Sequence, residues 1–206
     1  MIPAGSQTID APPQIRAARV EDAPAITELL VRALSTDPFV TWLVRPGKHR
    51  DAAMHAYVDL LLTELTLPHG HVYVTEPVDG AVLWVPPGRW DLGLFDRLRL
   101  LPTFLRIVGW GRAAAIDDAL TRVDQSRPKV PHYLLALIGT EPARRGHGIG
   151  TALLRPVLDR CEREGTPAVL ETYSKENVEW YRRRGFRFVR EIELPNAPSC
   201  WSMRHG

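Results

Sequence analysis

The sequence predicts a mixed α/β fold in a single domain, and three observations carry that reading. Apolar β-like runs alternate along the chain with segments of helical spacing. Hydrophobic residues make up 45% and charged residues 24%, the proportions of an ordinary globular protein. A length of 206 residues with no internal repeat and no linker-like stretch fits one domain over 14–206, preceded by a loose Pro-, Ser- and Gly-containing tail over 1–13.

The elements follow in order. A strand is predicted at Gln14 to Ala18. Glu21-Asp22 then offers an N-cap, with Pro24 in the first turn, for a helix through Ile26, Leu29, Leu30 and Ala33. After a loop from Thr36 to Gly47, helical spacing resumes at Met54, Val58, Leu61, Leu62 and Leu65 and stops at Pro68. The runs HVYVTE and AVLWVPP, split by Pro77-Val78-Asp79-Gly80, read as a hairpin. Residues 88–128 read as a helical insertion, with Leu94, Leu98, Leu101, Phe104, Leu105 and Val108 on one side. Gly109 and Gly111 interrupt it before a second helix from Arg112 to Val123. PHYLLALIGT is a buried strand, followed by a Gly-rich turn and a helix from Gly148 to Glu164. PAVLETY is a second buried strand, followed by a short helix near Asn177 to Arg184. The last two strands, FRFVREIEL and SCWSMRH, are split by the turn Pro195 to Pro198.

Composition narrows the function. A net charge of +2 gives no polyelectrolyte case for nucleic acid. The longest uncharged apolar stretch, Tyr133 to Gly139, is far short of the roughly 20 residues of a membrane span, so no membrane is expected. The N-terminus shows no secretory pattern. Cys161 and Cys200 match no disulfide framework and no metal knuckle, and the histidines lack ligand spacing, so the expectation is a cytoplasmic protein with free thiols and no metal. Only three of the 26 basic residues are lysine; composition does not say why.

The chemistry sits in Leu137 to Gly150, LIGTEPARRGHGIG, where a strand runs into a helix. A helix N-terminus leaves about four N–H groups unpaired and carries roughly half a positive charge. Glycines at 146, 148 and 150 let an anion approach that backbone, and Arg144 and Arg145 add permanent charge, which together suit a pyrophosphate. A turn made only for packing is the plainer alternative. No Gly-Lys-Ser/Thr follows the turn, which excludes a Walker loop; Gly47-Lys48 is followed by His49. A dinucleotide fingerprint would need glycine at Thr151 or Leu153. Glu171 does sit where a ribose-binding acid would, but the 35 residues after it are too few for a doubly wound sheet.

What the turn does spell is Arg145-x-x-Gly148-x-Gly150. In order after it come Leu170-Glu171-Thr172, Asn177 and Trp180-Tyr181-Arg182-Arg183-Arg184-Gly185-Phe186. This series resembles the GNAT superfamily of N-acetyltransferases. Trp84-Val85-Pro86-Pro87 and the closing run from Pro198 through Trp201, Met203 and Arg204 are similar to its puromycin acetyltransferase branch. The resemblance is strong over residues 132–206; over 14–87 it rests mainly on element order.

The resemblance implies a splayed mixed β-sheet flanked by helices, with acetyl-CoA as acetyl donor lying in the gap between the fourth and fifth strands. Backbone groups of Ile138, Gly139 and Thr140 would pair with the pantetheine arm. The backbone of Gly146, His147, Gly148, Ile149, Gly150 and Thr151 would hold the pyrophosphate beside Arg144 and Arg145, and Asn177 would touch the cofactor. Tyr181 falls on the general-acid position, where a phenol of reference pKa near 10 can protonate a nascent thiolate. Its plainer alternative is a buried aromatic. Glu171, at the end of a buried strand, is the candidate base; its alternatives are a salt bridge to an arginine, or a water relay in place of any side-chain base. Pro156, inside the proposed helix, implies a bend rather than a helix end. Cys161 reads as core, an acetyl-cysteine role for Cys200 is disfavoured, and Arg182 to Arg184 reads as a solvated cap.

The acceptor is expected against the first two helices, the insertion and the turn before the last strand, with Asp37, Phe39, Trp42, Trp84 and Trp90 as wall residues. Mostly aromatic walls favour a small amine with an apolar part over a polycation. The leading reading is acetyl transfer to a primary amine of a small molecule, an antibiotic or a metabolite. The alternatives are a non-catalytic acyl-CoA-binding module and a protein-acetylating relative. Dimers are common in the superfamily, which makes the insertion a candidate homodimer surface.

Overall fold

A computed structural model describes residues 13–90 and 93–206. Apart from Pro13, the tail expected over 1–13 lies outside the described residues. Seven strands form one sheet in the order β1 (Ile15–Ala17), β2 (Val72–Thr75), β3 (Gly80–Val85), β4 (Tyr133–Thr140), β5 (Ala168–Thr172), β7 (Cys200–His205), β6 (Arg187–Ile192). Neighbours are antiparallel except β4 and β5, which are parallel.

Alternation along β3 shows why both faces are covered. Leu83 and Val85 point into a core built with Ile26, Leu29 and Leu30 of α1 (Ala23–Ala33), with Met54 and Val58 of α3 (Arg50–Asp59), and with Ile107 and Val108 of α4 (Leu94–Val108). Val82 and Trp84 point the other way, onto Leu153, Leu154 and Val157 of α6 (Ile149–Glu164) and Tyr181 of α7 (Lys175–Arg182). A third cluster joins Ala119 and Val123 of α5 (Ala113–Ser126) to Ile192, Leu194 and Cys200. The helix α6 starts and ends on left-handed glycines, Gly148 and Gly165, and it runs through Pro156 without ending there. Among the described residues no helix is long and apolar enough to cross a membrane.

The feature that positions the site is the β4–β5 pairing. It consists of Tyr133↔Ala168 and Leu134↔Val169 and then stops. β4 continues to Thr140 on β3, and β5 continues to Thr172 on β7, so the two strands part while each keeps its other neighbour. Register between β3 and β4 shifts at the same place: Leu83 faces Leu137 and Trp84 faces Leu135, which leaves Ala136 as an extra residue. Such a bulge bends and twists its strand, and it turns β4 away just where β5 is lost.

Three expectations need correction. The loop expected over 36–47 contains a short helix, α2 (Pro38–Leu43), capped by the Asp37 side chain with Pro38 at its first position. Asp22 stands at the cap of α1 without capping it: Arg16 takes both its oxygens, at 2.6 and 2.9 Å, and the Arg19 N–H donates to it at 2.7 Å. In α4 only the inner end of the expected apolar side is covered; Val108 is buried, whereas Leu94 is 76% and Leu98 61% exposed.

Candidate active site at the parted strands

From Leu135 onward β4 presents to the gap a backbone edge that no β5 residue pairs. Ile138, Gly139 and Thr140 lie on this edge, in the segment expected to hold an extended ligand arm. Gly139 has a packing reason of its own: a Cβ there would lie 2.7 Å from Leu30 Cδ2 and 2.9 Å from Ala33 Cβ, so its absence lets α1 press against β4.

The turn after β4 delivers the chain to the first turn of α6. Gly146 and Gly148 take φ values of +86° and +78°, the left-handed region that favours glycine, and nothing lies within 4 Å of where their Cβ atoms would be. The approach to the amides of Gly148, Ile149, Gly150 and Thr151 is therefore open backbone at the positive end of a 16-residue helix, the chemistry a pyrophosphate needs. Gly150 works differently from the expectation. A Cβ there would meet Trp180 Cζ2 at 2.9 Å, so this glycine seats α7 against α6.

The two arginines of the turn are spoken for. Arg145 donates from Nη2 to the Ala33 carbonyl at 3.0 Å, tying the turn to the end of α1, and Arg144 faces Asp79 at 3.6 Å. His147 Nδ1 lies 3.2 and 3.0 Å from the Arg144 and Arg145 carbonyls, inside the turn itself. Arg184, expected as part of a solvated cap, instead crosses to α6. Its Nε donates to Thr151 Oγ1 at 2.8 Å, Nη1 donates to the Trp180 carbonyl at 2.6 Å, and the guanidinium lies 3.6 Å from the Trp180 ring centre.

Helix α7 starts at Ser174, whose hydroxyl accepts the Asn177 N–H at 3.4 Å. Asn177 and Tyr181 are four residues apart and share one helix face, Asn177 exposed and Tyr181 buried. Tyr181 packs edge-on to Trp180 and Phe186. Burial raises its phenol, the charge of Asp37 raises it further, and Arg184 works weakly against both. The phenol therefore holds its proton throughout the neutral range.

Glu171 was expected as a base, and its surroundings argue otherwise. Arg127 donates from Nε to one carboxylate oxygen at 3.0 Å and from Nη2 to the other at 2.9 Å, with the two side chains 9% and 7% exposed. Arg127 also faces Asp124 at 3.2 Å and lies 4.4 Å from the Trp90 ring centre. A carboxylate held at both oxygens by one guanidinium is half of a bidentate ion pair, which fixes its position at the end of β5. This is the salt-bridge alternative, and Trp90 belongs to it.

On the acceptor side α2 brings Phe39 onto Tyr173, stacked at 4.2 Å, with Trp42 5.9 Å from Phe39. Trp42 Nε1 donates to the Asn196 carbonyl at 2.7 Å, which pins α2 to the turn before β7. Trp84 is no wall residue; it is fully buried between the sheet and α6. Tyr57, Tyr173 and Arg127 escaped the sequence reading, since nothing in their spacing marks them; only the β5 end next to Tyr173 gave a hint. Cys161 and Cys200 are free and buried, and burial raises each thiol to about 12. Among the described residues no group of three His, Cys, Asp or Glu side chains is placed to hold a metal ion.

Known proteins share this fold. Among solved structures, histone acetyltransferase HPA2 and related acetyltransferase from Corynebacterium glutamicum superposes with a TM-score of 0.72 at 24% identity, covering 94% of this chain and 96% of that one. An agmatine N-acetyltransferase follows at 0.64 and 16%, covering 94% and 99%. The polyamine N-acetyltransferase of Drosophila melanogaster stands at 0.52 and 16%, covering 92% and 97%. At these identities the likeness is one of fold. In sequence, an uncharacterised N-acetyltransferase of Schizosaccharomyces pombe is 27% identical over 123 residues, 56% of this chain and 50% of that protein, so the chain matches half the length of this relative. The model of the acetyltransferase (GNAT) family matches residues 87–186, the stretch holding β4, the turn, α6, β5 and α7. The matched stretch thus contains both parted strands and the helices that flank their gap, and over it the chain is similar to the GNAT acetyltransferase family.

Proposed function

We propose that the chain transfers an acetyl group from acetyl-CoA to a primary amine of a small molecule. The observation that carries this is the β4–β5 pairing that stops after Leu134 and Val169, opening a gap beside the glycine-started N-terminus of α6. Bound acetyl-CoA supplies the acetyl group as a thioester. Backbone groups of Ile138, Gly139 and Thr140 would hold the extended arm as an added strand would, and an N–H of this edge would stabilise the charge that builds on the thioester oxygen. The amides from Gly146 to Thr151 hold the pyrophosphate, and Asn177 contacts the cofactor from α7. Tyr181 gives its proton to the departing sulfur; its phenol is protonated throughout the neutral range and α7 places it beside the gap-flanking helix α6. Two structural neighbours are named for agmatine and polyamine acetylation, which supports a small amine as acceptor.

Thermal melting with saturating acetyl-CoA tests this reading. Ligand at about 100 times its Kd stabilises by about 2.7 kcal/mol, which for a chain of this size is about 5 to 10 °C. Absence of a shift in folded protein refutes the proposal. Tyr181→Phe then separates an enzyme from a mere binding module: the melting shift stays, while thiol release falls about 100-fold or more.

A further inference from the structure

The side chain of Asp37 lacks what buried carboxylates ordinarily have. It is partly buried at the start of α2, and no Lys, Arg or His pairs with it among the described residues. What it does accept comes from the start of its own helix: the Val40 N–H donates to Oδ1 at 3.0 Å, and the Phe39 N–H also bonds the carboxylate. Taking a carboxylate out of water without a cation is costly, so an ionised group left in this condition points to a cation that arrives from outside. The groups that feel its charge are two phenols, Tyr57 of α3 and the proposed acid Tyr181 of α7, and it raises both. Asp37 is therefore within electrostatic reach of the residue that would protonate the leaving thiolate. Next to it in sequence, Phe39 lies flat on Tyr173 at 4.2 Å with their planes 17° apart, and this wall is held by the Trp42–Asn196 bond.

Resting on the acetyl-transfer reading, we infer that Asp37 receives the acceptor's ammonium group and takes up its proton, while Phe39 and Tyr173 wall a flat apolar body. The substrate class is a monocationic primary amine with an aromatic or similarly planar apolar part. Glu171 is not free for a second cation on the ligand, being committed to Arg127 at both oxygens. Burial also raises the Asp37 carboxyl, against the opposing pull of the Val40 and Phe39 N–H donors, which makes it a better proton acceptor than an exposed aspartate. The proton count closes. Asp37 removes one proton from the ammonium; the freed nitrogen lone pair forms the N–C bond, and the C–S bond breaks. Tyr181 protonates the sulfur and recovers a proton from the acylated nitrogen, and Asp37 releases its proton to water, for one proton released overall.

The test compares the intact protein with Asp37→Asn, which keeps an oxygen for the Val40 cap, using phenethylamine, neutral 2-phenylethanol and spermidine as probes. The acetyl-CoA melting shift should be unchanged in the variant. Its kcat/KM for phenethylamine should fall about 100-fold or more, the usual range for losing a proton-transfer group. In calorimetry on the CoA complex, phenethylamine should bind the variant at least tenfold more weakly, with 2-phenylethanol unaffected. Phe39→Leu should raise KM for phenethylamine with kcat kept. Equal kcat/KM and affinity in the wild type and Asp37→Asn overturn the assignment, as does a wild type that prefers spermidine or binds no arylalkylamine. Loss of the acetyl-CoA shift in the wild type is a different signature and marks failure of acetyl transfer itself.

Discussion

At Gly139 a single missing methyl group sets the distance between β4 and α1. A Cβ would need Leu30 and Ala33 to retreat, and Ala33 also offers the carbonyl that holds Arg145 and the turn. Overpacking a fitted site costs about 1–3 kcal/mol, so Gly139→Ala should lower the unfolding free energy by that amount in urea titration. It should also weaken acetyl-CoA binding, because the turn rides on α1. Arg127 and Glu171 make the opposite case, a buried pair in which each charge depends on the other. Arg127→Met leaves the Glu171 carboxylate buried and alone, and breaking such a pair costs about 3–5 kcal/mol. Chemical denaturation should show a loss of that size; a change under about 1 kcal/mol would mean that water reaches Glu171 freely.

At the level of elements, every strand was legible in the sequence, because alternation and buried apolar runs are local signals and β5 keeps its apolar side chains whichever partner it takes. The glycine-started α6 was legible because its turn is spelled in consecutive residues, whereas α7, read from near Asn177, starts two residues earlier behind the Ser174 cap. The short helix α2 escaped, although Asp37-Pro38 is a sound start, because six residues with Phe, Val, Thr and Trp among them carry little helical propensity. The partnerships of Glu171 with Arg127 and of Arg184 with Thr151 span 44 and 33 residues, and no local pattern specifies which arginine reaches which acceptor. Strand β2 carries a pH dependence of its own. His71, just before it, is buried edge-on to Tyr133, and burial, followed by the charge of Arg160, lowers its pKa from 6.5. The folded state thus binds a proton less readily than the unfolded chain. What His71 contributes is complete above pH 6.5 and is lost as pH falls through the lowered value. His55, raised first by its bond to the Asp51 carbonyl, works in the opposite sense. The measurement is therefore the difference between wild type and His71→Gln, whose stability should fall less between pH 7.5 and 5.5.

For the whole molecule, the decisive property is a sheet that is continuous at one end and divided at the other. Seven strands share one ladder system, yet the ladder between β4 and β5 holds only two residue pairs. Backbone groups left without partners exchange with solvent unless something else engages them. Acetyl-CoA should therefore slow amide hydrogen exchange over Leu135–Thr140 as well as over the first turn of α6. Slowing confined to α6 would place the cofactor outside the gap. The gap has one more consequence. Under the acetyl-transfer reading its unpaired edge takes the arm of the carrier, a part that is identical before and after the acetyl group has gone. Under the proposed reaction the spent carrier therefore occupies the same place nearly as well as the loaded one, and turnover follows the ratio of the two rather than the amount of either. At fixed acetyl-CoA, added free CoA should slow the enzyme in direct competition, so that its output falls whenever the pool of acetyl groups runs low.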